Sequence, residues 1–483
     1  MFVGTGSDVG KSIINAGFCR IFKQDGLNPT PFKAQNMSLN SFPTPDGLEI
    51  GRAQAVQAEA CGIECRVAMN PVLLKPTGET NSQVVLNGKP WANKSAKEFF
   101  MGTNRDFLFS EAMKAFSQLE AEFNPIVIEG AGSISEVNLW DKDITNMRVA
   151  VEKNAATYLI ADIDKGGVFG SLYGTMQLLP PAERAQIEGI IINKFRGDIS
   201  LFTDGRKKLE ELCGVPVVAV IPYFRDIFID DEDSVVVDKK QFSPVAGKIN
   251  IAVVLLRHMS NFTDFNLLEQ LPEVNLFYAA SPTDLNQADI VIVPGSKNTI
   301  ADMIFLQQRG MAAAIKKAHK QQKAVYGICG GFQIMGEWIY DPNHIEGEIE
   351  KIPGLGILPV QTTLTGEKTT RQCNFVFQRN LKGEGYEIHM GETISTQDSP
   401  TCKIENEKND GWFLNEKTWG TYIHGIFDNI EIVKTILAAS GKEVDSEINF
   451  KQFKEEQYDK LAQLIRECTD MKYIYQSIKI DTQ

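Results

Sequence analysis

Short apolar runs, continuous rather than alternating and each closed by glycine, proline or a polar residue, constrain this chain more than any other feature. Ile126-Val127-Ile128, Tyr158-Leu159-Ile160-Ala161, Ile190-Ile191-Ile192 and Val217-Val218-Ala219-Val220 occupy the first half. Ile251-Ala252-Val253-Val254-Leu255-Leu256, Ile290-Val291-Ile292-Val293 and Ala324-Val325-Tyr326 occupy the second. A strand with one wet face alternates polar and apolar residues, whereas a strand covered on both faces reads as unbroken apolar sequence. Helical patterns separate the runs, so an α/β fold is predicted: two mainly parallel sheets in succession, with ligands gathering at the strands' carboxyl ends.

With 483 residues and 43% hydrophobic content the chain can bury two or three cores. The predicted divisions are 1–228, a polar linker at 229–248 containing Asp230-Asp231-Glu232-Asp233 and Lys239-Lys240, a second unit at 249–436, and a helical segment at 437–483. In the last, Leu461, Leu464, Ile465 and Cys468 follow helical spacing and give one apolar face that should pack on the body of the protein. A net charge of -13 argues against a broad nucleic-acid footprint. No apolar run approaches the ~20 residues of a membrane span, and a phosphate loop at the very start leaves no room for a secretory signal, so a cytoplasmic protein with no membrane partner is expected. A buried first strand usually needs about five or six residues. Only Met1-Phe2-Val3 precede Gly4, so a natural start further upstream is expected. Eight cysteines show no paired metal spacing, and Cys61 and Cys65 read as buried thiols on one helix face rather than half of a zinc site.

Gly4-Thr5-Gly6-Ser7-Asp8-Val9-Gly10-Lys11-Ser12 reads as a phosphate-binding loop running into the amphipathic stretch Ile13 to Phe22. Glycines such as Gly6 and Gly10 let backbone N–H groups wrap phosphates, Lys11 reaches the outer oxygens, and the Ser12 hydroxyl can hold Mg²⁺. The common spacing would place glycine at position 5, so this loop is one residue longer. Glu129 ends a strand before Gly130-Ala131-Gly132 and is placed as a second Mg²⁺ ligand. Asn193 ends another strand, where its amide could read a purine edge or cap the turn. ATP and Mg²⁺ are the cofactors expected.

The second chemical signal is Gly327-Ile328-Cys329-Gly330-Gly331 directly after an apolar run, with His424 in Thr421-Tyr422-Ile423-His424-Gly425. A strand feeding a G-x-C-x-G turn lifts the central side chain onto a strained elbow beside the N–H groups of the next helix. A thiol needs a neighbouring imidazole to become a thiolate at neutral pH, so Cys329 and His424 are the predicted nucleophile and base. Gly330 and Ser296, the latter in the turn Val293 to Asn298, should supply oxyanion N–H groups. Gln333, one helical turn on, should contact a small polar substrate. His389 reads equally well as a structural histidine or a pocket wall, while His258, His319 and His344 read as local or surface residues.

These motifs, with Phe32-Lys33-Ala34-Gln35-Asn36-Met37, Met69-Asn70-Pro71-Val72-Leu73-Leu74-Lys75-Pro76 and Asp162-Ile163-Asp164-Lys165-Gly166-Gly167, resemble the cobyric acid synthase family over essentially the whole chain. The first half is similar to dethiobiotin synthetase, whose members phosphorylate a carboxylate, and the second to class I glutamine amidotransferases. The resemblance implies L-glutamine as nitrogen donor and a corrinoid polycarboxylate as acceptor. The amidations would fall at positions b, d, e and g of adenosylcobyrinic acid a,c-diamide, one ATP and one glutamine for each. Corrin contacts are expected near Gln35-Asn36-Met37 and Asp162 to Gly167, and a homo-oligomer is compatible with the sequence.

One departure from the class I pattern stands out. A full triad places Glu two residues after the histidine, and Ile426 is there instead. A Cys329–His424 dyad is therefore expected, with Asp428 the candidate for orienting the ring. Ile426 also argues against CTP synthase, Asn36-Met37 and Asn70-Pro71 favour cobyric acid synthase over cobyrinic acid a,c-diamide synthase, and the cysteine elbow argues against a partitioning-type ATPase.

Overall fold

The computed structural model describes residues 1–76, 81–95, 104–230, 244–378, 380–405, 408–441 and 446–480. Most of the predicted linker, 231–243, lies outside them. In the first half, strands Phe2–Gly4, Thr157–Asp162, Ile187–Phe195 and Val217–Pro222 lie parallel in that order. Thr30–Phe32 and Ile126–Ile128 form a parallel pair that meets the first strand through a bridge between Phe2 and Glu129. Every apolar run read as a strand contains one, although that at Ile251 to Leu256 ends at Val254, before Leu255 and Leu256. Their side chains are buried on both faces by helices, which is why they carry no polar alternation.

The second half holds a sheet in the order Val274–Ala279, Ile249–Val254, Ile290–Val293, Ala324–Ile328, Thr418–Thr421 and Trp412–Asn415, parallel except at the last pair. Tyr326 stacks on Trp419 at 4.4 Å in its core. Beside it stands a mixed sheet built on the long hairpin Gln361–Phe377 and Leu381–Ile394. That hairpin is half-exposed and rich in Thr, Lys and Glu, so it leaves no continuous apolar run in the sequence.

The C-terminal helix Phe450–Glu467 crosses back to the first half. Leu461 and Ile465 pack among Ile14, Phe18 and Ile21, and Arg20 pairs with Glu455 at 2.8 Å and Asp459 at 2.6 Å. The approach is close enough that a Cβ on Gly17 would lie 2.3 Å from Ile465 Cδ1. The cysteine pair needs one correction: helix Arg52–Cys61 stops at Cys61, because Gly62 takes the left-handed conformation at φ 68°. Cys65 is buried beyond the helix rather than on its face. Among the described residues no helix is long and apolar enough to cross a membrane.

Candidate active sites

The elbow forms as its spacing predicts. Strand Ala324–Ile328 ends, Cys329 sits at φ 51° and ψ -110°, and helix Gly330–Met335 begins. This is a costly conformation for a residue with a side chain, and such strain persists where surrounding structure enforces it. The enforcing element is the turn after Val293. A Cβ on Gly331 would lie 1.9 Å from Val293 O, and one on Gly330 would lie 2.7 Å from Ser296 N. Gly330 opens the helix, so its N–H has no carbonyl within the helix to take it, and it lies against the Ser296 backbone. Asp302, fully buried, holds that turn by accepting from Ser296 Oγ at 2.6 Å and from the Arg257 and His258 backbone N–H groups.

His424 is fully buried. Its Nδ1 lies 2.7 Å from Asp264 Oδ2, whose other oxygen accepts the Gly425 N–H at 3.0 Å. Burial works against charge on the ring, but the Asp264 carboxylate and the Cys329 sulfur outweigh it and raise the imidazole to about 10. The dyad expectation is thereby corrected. A carboxylate does orient the ring, and it is Asp264, not Asp428. Burial, with Asp264 and Asp230 near by, pushes Asp428 up to about 8, and its Oδ1 meets no partner among the described residues. Asp264 escapes a reading based on spacing because it lies 160 residues from its histidine. The available signal was its position just past the carboxyl end of strand Ile249–Val254, on the same edge of the sheet as the elbow. Asp264→Asn should lower glutamine-dependent glutamate release by about 10³-fold, because the ring loses its tautomer and orientation. Asp428→Asn should keep it within about an order of magnitude; release assayed on both variants checks the contrast.

Gln333 lies where predicted, with its amide engaged. It accepts from Thr299 Oγ1 at 2.9 Å and donates to Met390 O at 3.1 Å and Tyr422 Oη at 3.2 Å. A substrate contact would use its remaining oxygen lone pair or exchange one of these bonds. His389 stacks on Tyr422 at 3.8 Å and lies 3.6 Å from Glu387.

At the other site, Gly10 adopts φ 97° and a Cβ there would meet Asn193 Nδ2 at 2.2 Å, so glycine is required. Lys11 is buried with Nζ donating to Gly6 O, Ser7 O and Gly132 O at 2.8–3.0 Å. Ser12 Oγ donates to Glu129 Oε1 at 2.8 Å. Lys33 Nζ lies 2.8 Å from that same oxygen, and Gln57 Nε2 donates to Glu129 Oε2 at 2.6 Å. Asn193 braces the loop: Nδ2 donates to Val9 O at 2.8 Å and Oδ1 accepts from Lys194 N at 2.9 Å. Each bond uses one of the amide's two N–H groups and one of its two oxygen lone pairs, so a base contact would add to them. A cavity of about 500 Å³ opens over the loop, lined by Lys11, Ser12, Glu129, Gln35, Asn36, Met37, Arg105, Trp140 and Arg148. Asp162–Gly167, the other expected corrin contact, does not line it, and Asp162 instead pairs with Lys194 at 2.9 Å.

Between the two sites runs a buried polar seam. Glu49 from the first half is fully buried and takes Lys75 at 2.7 Å and Lys368 of the second half. Burial would disfavour the Glu49 charge, but the two lysines overcome it and hold the carboxyl well below its usual range. Burial and the neighbouring lysines push Lys368 down to about 7. Gln372 Nε2 donates to Pro43 O at 2.9 Å, and Phe42 meets Tyr386 edge-on at 4.9 Å. Glu49→Gln leaves two buried amines without a counter-charge, and should cost about 3 kcal/mol, seen as a lowered melting temperature.

Residues 1–235 match the CobQ/CobB/MinD/ParA nucleotide binding domain, and residues 250–432 match the CobB/CobQ-like glutamine amidotransferase domain. Fold and sites thus define a glutamine-dependent, ATP-using amidoligase. Cobyric acid synthase of Parabacteroides distasonis is 56% identical over 99% of this chain and 98% of its own. That of Bacteroides fragilis is 54% identical over 99% and 97%, and that of Streptococcus sanguinis 47% over 99% and 98%. The chain belongs to the cobyric acid synthase family.

Proposed function

We propose that the chain amidates the b, d, e and g carboxylates of adenosylcobyrinic acid a,c-diamide, giving adenosylcobyric acid. The observation that carries this reading is the presence of both half-reactions in one chain, a Cys329–His424–Asp264 elbow and a phosphate loop, joined by a buried seam. His424 would take the Cys329 thiol proton at Nε2 and later protonate the leaving amine. The sulfur attacks the glutamine amide carbon, Gly330 and Ser296 N–H groups hold the developing oxyanion, ammonia leaves, and water cleaves the thioester to glutamate. At the loop, a substrate carboxylate oxygen attacks the γ-phosphorus of ATP and ADP leaves. Ammonia then displaces phosphate from the acyl phosphate. Lys11 stabilises the transferring group.

Ser12 and Glu129 suit a Mg²⁺ ion, which usually takes one or two protein oxygens and completes its shell with water and phosphate. They are a hydroxyl and a carboxylate 2.8 Å apart at the cavity edge. The ion would supply charge neutralisation at the phosphates. Incubation with the corrinoid, ATP-Mg²⁺ and glutamine, read by product mass, tests the proposal: four successive acid-to-amide conversions are expected, and an unchanged corrinoid would overturn it.

A further inference from the structure

We infer that Lys297, Lys368 and Lys75 form a seat for the α-carboxylate of glutamine, so that the nucleotide half helps to hold the nitrogen donor opened in the other half. The inference rests on the amidotransferase reading and names what recognises its substrate.

The three amines come to the elbow from three chain segments. Lys297 follows Ser296, the turn residue packed on Gly330, where a Cβ would lie 2.7 Å from Ser296 N. Lys368 stands opposite Met390 on the long hairpin. Met390 O accepts from Gln333 Nε2 at 3.1 Å, and two residues earlier Ile388 O accepts from Cys329 Sγ at 3.5 Å. Directly paired residues share a face, as do residues two apart on one strand, so Lys368 lies on the same face of the hairpin as Ile388 and Met390. Lys75 belongs to strand Val72–Pro76 of the first half, with Gln83 as its partner on the neighbouring strand. Gln83 Oε1 accepts from Lys297 Nζ at 3.1 Å, and that bond joins the first half to the turn that carries Ser296.

The charges in this cluster do not balance. Among the described residues Glu49 is the carboxylate that these amines touch, and Lys75 and Lys368 share it, with side chains only 4% and 7% exposed. The Lys297 bond goes to a neutral amide instead. Burial and the Lys75 charge lower the Lys297 amine to about 8, the same strain that lowers Lys368. Glu346, the next carboxylate acting on Lys297, offsets little of this, because burial pushes it up to about 7. A buried cluster with surplus positive charge is completed by an anion. When the amide carbon of glutamine meets Cys329 Sγ, its α-carboxylate lies about 5 Å further on, four carbon–carbon bonds away. Seated among the three amines it supplies the missing counter-charge. The seat selects free glutamine over a glutamine whose α-carboxyl is already an amide or a peptide bond.

The test uses the full chain with Cys329→Ala, which lets glutamine bind without being opened. Calorimetry gives its dissociation constants for L-glutamine and for L-glutaminamide, in which an uncharged amide of the same shape replaces the α-carboxylate. Glutamine should bind about ten- to a hundredfold tighter, the worth of a hydrogen bond to a charged group. Adding Lys297→Met or Lys75→Met should weaken glutamine about tenfold and leave glutaminamide within about threefold, so that the ratio shrinks. Lys297→Arg, which keeps the charge, should preserve the ratio. Binding of glutaminamide also reports that a variant is folded. Equal affinities for the two ligands in the Cys329→Ala chain would overturn the inference, whether or not the lysine variants fold. A ratio left unchanged by Lys297→Met or by Lys75→Met would overturn it equally. Failure of the Cys329→Ala chain to bind glutamine at all would count against the proposed function instead.

Discussion

Cys329→Ala is expected to release no glutamate from glutamine and yet to amidate the corrinoid when ammonia is supplied in solution. Glutamine-dependent turnover should fall by about 10⁴-fold or more, the scale of losing a covalent nucleophile. His424 and Asp264 remain, but they have no sulfur to act on, and no other nucleophile stands at the elbow. The variant should fold, because Cys329 already carries a Cβ at φ 51° and alanine adds no new strain there. The nucleotide site, with Lys11, Ser12 and Glu129 in the first half of the chain, does not touch the thiol. At high ammonium concentration and mildly alkaline pH, where more NH₃ is present, amide formation should approach the rate of the unaltered protein under the same conditions. Full glutamine-dependent activity, or loss of ammonia-dependent activity in a folded variant, would remove Cys329 from the role of glutaminase nucleophile.

The contrast between Cys329 and Asp264 marks what local sequence can carry. The elbow, the phosphate loop and the buried parallel strands are legible because each is one continuous stretch whose residue types answer a local demand, such as glycine at Gly331 under Val293 O or unbroken apolar residues under helices. Asp264 and Asn261 reach His424 from a distant chain segment, and Ser41 meets Asn261 from the first half. Their pairing is set by how strands are ordered and how the halves dock, and no short spacing records it. The same reason explains Asp428: four residues from His424 it is near in sequence, but the chain turns through Gly425 at φ 72°, and the ring nitrogen finds a carboxylate from elsewhere. The hairpin Gln361–Phe377 and Leu381–Ile394 escapes for a different cause. Its half-exposed strands mix Thr, Lys, Glu and Gly, so the apolar signal used for the other strands is absent. The C-terminal helix is the opposite case. Its apolar stripe declares itself at Leu461 and Ile465, although only the structure names Ile14 and Phe18 as the surface it covers.

Lys11→Ala should abolish amidation from either nitrogen donor while leaving the glutaminase able to work. Removing the amine takes away the positive charge nearest the loop's phosphate-binding face, and charge stabilisation of a transferring phosphoryl group is worth about 10³-fold or more. The loss cannot be bypassed with ammonia, because the acyl phosphate that ammonia must attack is never formed, and a carboxylate alone is too poor an electrophile. Lys11 also ties Gly6, Ser7 and Gly132 together through three carbonyls, so some loosening of the loop accompanies the loss of charge. The second half of the chain, which holds Cys329, His424 and Asp264, supplies the control: glutamate should still be released from glutamine by this variant, and its release reports that the chain is folded. Amidation and glutamate release measured side by side, with each nitrogen donor in turn, give a pattern opposite to that of Cys329→Ala. A Lys11→Ala protein that formed amide at a near-normal rate with ATP and ammonia would overturn the assignment of residues 4–12 as the phosphate-binding loop of the ligase.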